Sequence, residues 1–148
     1  MENGKWLTHA FTVEQSPEKA FAAINDVRGW WSGQIEGATD ELGAEWTYRY
    51  KDLHYSKQKI TELVPSKLVV WQVVDSYLSF VKDKTEWNGT TVIFDIAKKG
   101  NKTEVRFTHV GLDRRQECFD DCNDAWGSYV KESLKSLITT GKGQPNEE

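Results

Sequence analysis

The first quarter of the chain alternates between hydrophobic and polar residues and then changes to a helical pattern. Loose alternation from Trp6 to Glu14 predicts a first strand. Ser16 offers a helix N-cap and Pro17 stands at the first helical position, so a short helix begins near Pro17. We expect this helix to end around residues 26–29, directly before two adjacent tryptophans.

The middle of the chain alternates with a period of two, which is typical of half-buried strands. Residues 44–51 (AEWTYRYK) predict one strand with an aromatic face, after the polar link 33–43. Residues 55–64 and 67–75 predict a hairpin around Pro65, and residues 90–110 predict another that turns at 99–101. Between the hairpins, residues 76–89 fit either a long loop or a partly extended segment.

The last third changes to a spacing of three or four residues between apolar positions, which predicts one long amphipathic helix. Gly141 is placed to cap its C-terminus, and residues 142–148 read as a frayed tail to a single domain of residues 1–141. The helix face expected to meet the concave side of the sheet consists of Phe119, Cys122, Trp126, Val130 and Leu137.

This order of elements predicts the α+β class: an antiparallel sheet, one or two short helices after the first strand and a long C-terminal helix. Strands and helices do not alternate, and the sequence has no glycine-rich phosphate loop. A doubly wound nucleotide-binding fold is therefore disfavoured.

Charge and apolar content narrow the class of protein further. The net charge is −4, and the 19 basic residues are scattered among 23 acidic ones, so we expect no nucleic-acid partner. No apolar run is long enough to insert into a membrane, and the N-terminus lacks a secretory pattern. Two cysteines fit a reducing compartment. We therefore expect a cytoplasmic protein.

The aromatic content is unusual, with 7 Trp, 5 Tyr and 6 Phe in 148 residues. Such side chains can supply most of a core or line a substantial pocket. Trp30 and Trp31 are adjacent, and neighbouring residues on a regular strand or helix point in different directions. We expect one of the two rings to pack inward and the other to border a cavity opening.

Four segments resemble a known family. They are SPEKAFAAI after the first strand, the Trp30–Trp31 pair, VPSKLVVW at residues 64–71, and THVGL followed by AWGSYVKESLKSLITTGKG. Together they are similar to the START-like (SRPBCC) superfamily, and within it to the family of the activator of the ninety-kilodalton heat-shock-protein ATPase, which has bacterial members. The resemblance implies a helix-grip fold, in which a curved sheet wraps the long helix and often leaves a cavity.

Candidate chemistry outside the aromatic positions is sparse. Cys118 and Cys122 are four residues apart on one predicted helix face, which suits neither a relaxed disulfide nor, alone, a zinc site. His109 is expected on the same strand face as the apolar Val105 and Phe107. It is either a structural histidine or the polar group of a pocket. We expect no metal, no cofactor and no catalytic constellation, and the sequence favours a binding domain over an enzyme.

The sequence therefore predicts that a small apolar or aromatic molecule binds between the sheet and the C-terminal helix. One alternative is a protein-interaction module whose partner is a chaperone or another protein. Another is a cyclase-like or hydrolase-like enzyme with dispersed polar groups, His109 first among them. The sequence leaves the oligomeric state open. The residues expected to line the ligand site are Trp31, Tyr48, Trp71, Phe107, His109 and Trp126.

Overall fold

The computed structural model describes residues 6–31, 34–50, 54–78, 87–112 and 119–143. Within them, seven antiparallel strands form one sheet in the order β1-β7-β6-β5-β4-β3-β2. The strands are β1 (Leu7–Val13), β2 (Gln34–Glu36), β3 (Glu45–Tyr50), β4 (His54–Val64), β5 (Leu68–Leu78), β6 (Thr91–Lys99) and β7 (Lys102–Val110). The expected α+β class and both expected hairpins are confirmed.

Between the first two strands lies helix α1 (Pro17–Asn25), followed by a 3-10 turn (Val27–Gly29). The Ser16 side chain caps the helix by accepting a hydrogen bond from the Lys19 backbone N–H, as the sequence predicts. Strand β2 was not predicted. It has only three residues, within a segment whose polar and glycine content indicates a link.

The C-terminal helix contains a π-helical segment that changes which side chains face the sheet. It runs as an α-helical segment (Phe119–Gly127), the π-helical segment (Ser128–Leu134) and a second α-helical segment (Lys135–Thr140). Because a π turn holds more residues than an α turn, the inward face is reached about one residue later. Ile138 is therefore fully buried, whereas Leu137, expected inward, only packs at the edge of the core.

The helix otherwise follows its sequence pattern. Cys122, Trp126 and Val130 are buried as expected, and Phe119 is partly buried. Gly141 ends the helix with a φ of 85°, the left-handed conformation expected of a glycine C-cap.

Trp30 and Trp31 both point into the core, so the expectation that one ring borders an opening was wrong. Trp30 is 0% and Trp31 4% exposed, and their rings stack at 6.1 Å with planes 9° apart. The reason is that the pair follows a 3-10 turn rather than lying in regular structure. Trp30 has φ −133° and ψ −18°, which carries the second side chain to the same side as the first.

The hairpin of β4 and β5 contains two register shifts, between Lys57 and Gln58 and between Ile60 and Glu62. Each inserts an unpaired residue, and bulges of this kind bend a strand and increase its twist. The first one turns Val74 outward and keeps both Val73 and Ser76 on the inner face, although they are three residues apart. The bulges therefore help the sheet to curve around the C-terminal helix, and each shifts by one residue the positions of its strand that face inward.

The end of β7 depends on a glycine. Gly111 has φ +107°, and a Cβ built there would lie 2.7 Å from Thr90 Cγ2. Gly100, in the β6–β7 turn, also has a positive φ, but a Cβ there meets nothing within 4 Å. Both positions have a positive φ that would strain a residue with a Cβ, and they differ in the space available to that Cβ.

We predict that Gly111→Ala lowers the free energy of unfolding by about 2–4 kcal/mol, since strain and a steric overlap add up. Gly100→Ala is the matched control and should cost only about 1–2 kcal/mol. Denaturant titration of both variants measures the difference. Equal losses would show that the contact with Thr90 relaxes without cost.

Candidate functional site

Trp31 lies at the centre of a group of aromatic rings between the sheet and the C-terminal helix. It stacks on Tyr48 of β3 at 4.3 Å and lies parallel to Trp71 of β5 at 6.3 Å. On its helix side it contacts Trp126 at 5.1 Å and Tyr129 at 6.1 Å, as centroid distances. We call this group the aromatic cluster; it comprises Trp30, Trp31, Trp46, Tyr48, Trp71, Trp87, Phe94, Phe107, Trp126 and Tyr129.

All six residues predicted to line a ligand site are joined through ring contacts. Tyr48, Trp71 and Trp126 meet at Trp31, and Phe107 lies 4.5 Å from the Trp126 ring. His109 lies 5.9 Å from the same ring. Each is buried, and the rings pack directly on one another. The structure thus brings the predicted residues together as a packed layer.

His109 uses both ring nitrogens in hydrogen bonds within the protein. The Trp126 indole N–H donates to His109 Nδ1 at 3.2 Å. Because an indole can only donate, Nδ1 must accept, and in the neutral ring the proton is on Nε2. Nε2 then donates to Thr90 Oγ1 at 2.8 Å, and Thr90 donates to the Trp87 carbonyl at 2.6 Å. The chain of bonds fixes the His109 tautomer and ties β7 to the C-terminal helix.

Burial keeps His109 uncharged. It is fully enclosed, and loss of solvation lowers the pKa of its ring to about 3. A nearby histidine, His54, adds a smaller effect in the same direction. With both nitrogens bonded and a pKa this low, His109 is arranged to hold Trp126 and Thr90 in place, which gives no support to a general-base role.

Strand β4 carries three polar side chains toward the helix at alternate positions. We call His54, Ser56 and Gln58 the polar row. Ser56 is 0% and Gln58 1% exposed. Within the described part of the chain, Ser56 Oγ, both amide atoms of Gln58 and His54 Nε2 are buried and have no hydrogen-bond partner. Buried polar groups in proteins are usually paired, so this row is exceptional.

Indole nitrogens of the aromatic cluster share this property. Trp46 pairs with Gln58 across the β3–β4 ladder, and Trp71 pairs with Ile60 across β4–β5. The Nε1 atoms of both tryptophans are buried and lack a partner among the described residues, as does that of Trp87. Hydrogen-bonding atoms without partners therefore accumulate beside the stacked rings.

The polar row was missed by sequence reasoning, although a signal was present. In β4 the charged side chains Lys57 and Lys59 alternate with Ser56 and Gln58. In a strand of period two, exposed lysines at odd positions predict that the even positions face inward. Trp87 was missed because it lies within residues 76–89, the segment whose conformation the sequence left open.

The other candidate chemistry is not assembled by the described residues. Cys122 is a buried free thiol, while Cys118 lies outside them. Among the residues with described side chains, no group of three or more histidines, cysteines or carboxylates could hold a metal ion. No helix in the described part of the chain is long and apolar enough to cross a membrane.

Three of the surface clefts formed by described residues are lined by none of the six predicted residues. One lies between β1 and the C-terminal helix, where the His9 ring contributes to its lining. His9 Nε2 lies 3.1 Å from the Asn123 carbonyl, in the first α-helical segment of the C-terminal helix. This contact joins the helix to the edge strand of the sheet.

The sequence model of the family described as "Activator of Hsp90 ATPase homolog 1-like protein" matches residues 14–139. This match spans most of the chain. The chain belongs to this family. The resemblance inferred from the sequence is confirmed, and so is the helix-grip fold. No curated protein matches the chain.

Solved structures agree with this assignment. The solution structure of the Aha1 dimer from Colwellia psychrerythraea is 28% identical, with a TM-score of 0.73, and the match covers 93% of this chain and 98% of that one. The protein SSP2350 from Staphylococcus saprophyticus is 17% identical, with a TM-score of 0.67 and coverage of 93% and 94%. CalU16 from Micromonospora echinospora is 10% identical, with a TM-score of 0.64 and coverage of 93% and 75%. The last two show the fold alone.

The low pKa of His109 makes the stability of this family member depend on pH. A histidine whose pKa is about 3 when folded and 6.5 when unfolded binds its proton more readily in the unfolded chain. Its contribution is therefore complete above pH 6.5 and is lost as the pH falls toward 3. We predict that the free energy of unfolding drops by about 1 kcal/mol between roughly pH 7.5 and 5.5 from this group alone.

Urea titrations across this pH range measure the effect. In the His109→Gln variant, the part of the pH dependence of the free energy of unfolding that we assign to His109 should disappear. This holds whatever the substitution does to stability at pH 7.5. A wild-type stability that stays constant over the range would contradict the assignment of a buried neutral ring.

Proposed function

We propose that this protein binds a small apolar or aromatic molecule between the sheet and the C-terminal helix, at the aromatic cluster. The observation that supports this most directly is the group of unpaired, buried hydrogen-bonding atoms beside the rings. Each such atom costs about 1–3 kcal/mol when it is left without a partner. A domain that tolerates several of them next to a flat aromatic surface is suited to receive a ligand there.

Stacking gives a route to accommodate a ligand ring. Trp31 and Tyr48 lie nearly parallel, with planes 14° apart and centroids separated by 4.3 Å. A planar ligand inserted between two such rings replaces one stacking contact by two, so much of the packing energy is recovered. The Trp31 backbone belongs to neither the sheet nor the C-terminal helix, so its ring can separate from Tyr48 by the thickness of a ligand without moving a strand or a helix.

Tryptophan indole N–H signals in nitrogen-15 NMR spectra test this proposal. Titration with naphthalene or 2-naphthol should shift the signals of Trp31, Trp46, Trp71 and Trp126 with saturation. The signal of Trp6, which precedes β1 and lies outside the aromatic cluster, is the internal control. Shifts that stay linear and equal across all seven signals would contradict a specific site.

A second candidate function is self-association, because the similar Colwellia protein was solved as a dimer. In this chain two exposed hydrophobic side chains lie three residues apart on β5: Val74 is 41% and Tyr77 44% exposed. Tyr77 pairs with Tyr55 of β4, so an aromatic patch extends over two strands. Binding of a chaperone, the other expectation from the family, stays a prediction.

Sedimentation over a hundredfold range of protein concentration tests self-association. We expect a concentration-dependent dimer that Tyr77→Lys weakens at least tenfold, since a buried unpaired ammonium opposes association. Gln72→Lys, an exposed position on the same strand, is the matched control. A wild-type protein that remains monomeric throughout would rule out this candidate.

A further inference from the structure

We infer that the ligand is uncharged and carries a hydroxyl group, and that Gln58 is the residue that recognises it. This inference rests on the proposed function and specifies the chemical class of the ligand. It follows from the position of Gln58, from the hydrogen-bonding capacity around it, and from the absence of charge near it among the described residues.

Gln58 lies on the inner face of the sheet, on the third strand from the β2 edge. It is opposite Trp46 of β3 and opposite Val73 of β5 in the strand register. Side chains directly opposite each other in antiparallel strands have Cβ atoms about 4.5–5.5 Å apart. Trp71 is the next inward residue along β5, and its ring contacts that of Trp46 at 5.0 Å between centroids. Gln58 therefore lies beside a pair of indoles whose own N–H groups are unpaired in the described part of the chain.

The unpaired atoms include both donors and acceptors. The two indole N–H groups only donate, Gln58 Nε2 donates, and Gln58 Oε1 accepts. A ligand carbonyl could use the donors but would leave Oε1 unsatisfied. A hydroxyl can do both, donating to Gln58 Oε1 while accepting from Gln58 Nε2 or from an indole N–H. The hydroxyl is therefore the smallest organic group that can pair with both a donor and an acceptor of the amide.

Charge on the ligand is disfavoured by its surroundings. Among the described residues, the buried side chains include no aspartate, glutamate, lysine or arginine. The two histidines nearby are uncharged at neutral pH, because burial lowers the pKa of His54 and of His109 to about 3. A carboxylate or an ammonium group placed here would be a buried charge without a partner, which is far more costly than a buried hydroxyl.

A purely structural role for Gln58 makes different predictions. If the amide only contacts water inside the core, its replacement by leucine removes a poorly paired polar group and leaves ligand preference unchanged. If Gln58 recognises a ligand hydroxyl, the same replacement abolishes a preference. In both cases Gln58→Leu should fold, with a denaturation midpoint at or above that of the wild type.

Three probes of the same ring size separate these possibilities: naphthalene, 2-naphthol and 2-naphthoate. Their dissociation constants are measured at pH 7 by following the tryptophan indole signals. For the wild type we expect 2-naphthol to bind about tenfold more tightly than naphthalene, and 2-naphthoate at least about tenfold more weakly than 2-naphthol. The indole signals of Trp46 and Trp71 should respond differently to 2-naphthol and to naphthalene.

The key variant is Gln58→Leu, with Gln72→Leu as the matched control because Gln72 is an exposed glutamine of the same sheet. Gln58→Leu should bind 2-naphthol and naphthalene equally, whereas Gln72→Leu should keep the tenfold preference.

Equal binding of the two probes by the wild type would overturn this inference and leave ligand binding intact. A hydroxyl preference that survives in Gln58→Leu would overturn the role of Gln58. If none of the probes binds, the proposed function itself fails.

Discussion

The packing of Trp31 against both the sheet and the C-terminal helix is the contact on which the rest of the structure depends. Its ring meets Tyr48 and Trp71 on one side and Trp126 on the other. The residue follows a short turn after α1 and thus joins three parts of the chain that are distant in sequence. Large aromatic rings bury more apolar area than any other side chain, so one residue can hold a helix against a curved sheet.

Local periodicity explains how much of this fold could be predicted. The alternation in β3 to β7 and the Ser16–Pro17 helix start are properties of short segments, and the structure has the elements that they predict. That Ile138 and not Leu137 lies on the buried face of the helix could not be predicted in this way. It results from a π-helical segment, whose wider turns the spacing of apolar residues does not reveal.

The candidate site, like the fold, could be predicted from the sequence only in part. Aromatic residues at alternate positions along the strands were predicted to converge, because the strands of one sheet share an inner face. The structure brings these residues together. How tightly their rings pack could not be predicted, since it depends on irregular backbone at Trp30. The polar row was readable from the alternating lysines of β4. It was missed because a glutamine or a serine on a strand matches no catalytic or metal-binding pattern.

The two kinds of buried polar group in this core have opposite consequences. His109 is fully paired through Trp126 and Thr90, so its burial stabilises a single arrangement of β7 and the helix. Gln58 and Ser56 have no partner among the described residues, and apolar side chains of similar size would satisfy the same packing at lower cost. Departures from optimal packing are expected where a protein serves a function other than its own stability. The contrast therefore assigns a structural role to the histidine that the sequence singled out, and favours the overlooked amide of β4 as the point of ligand recognition.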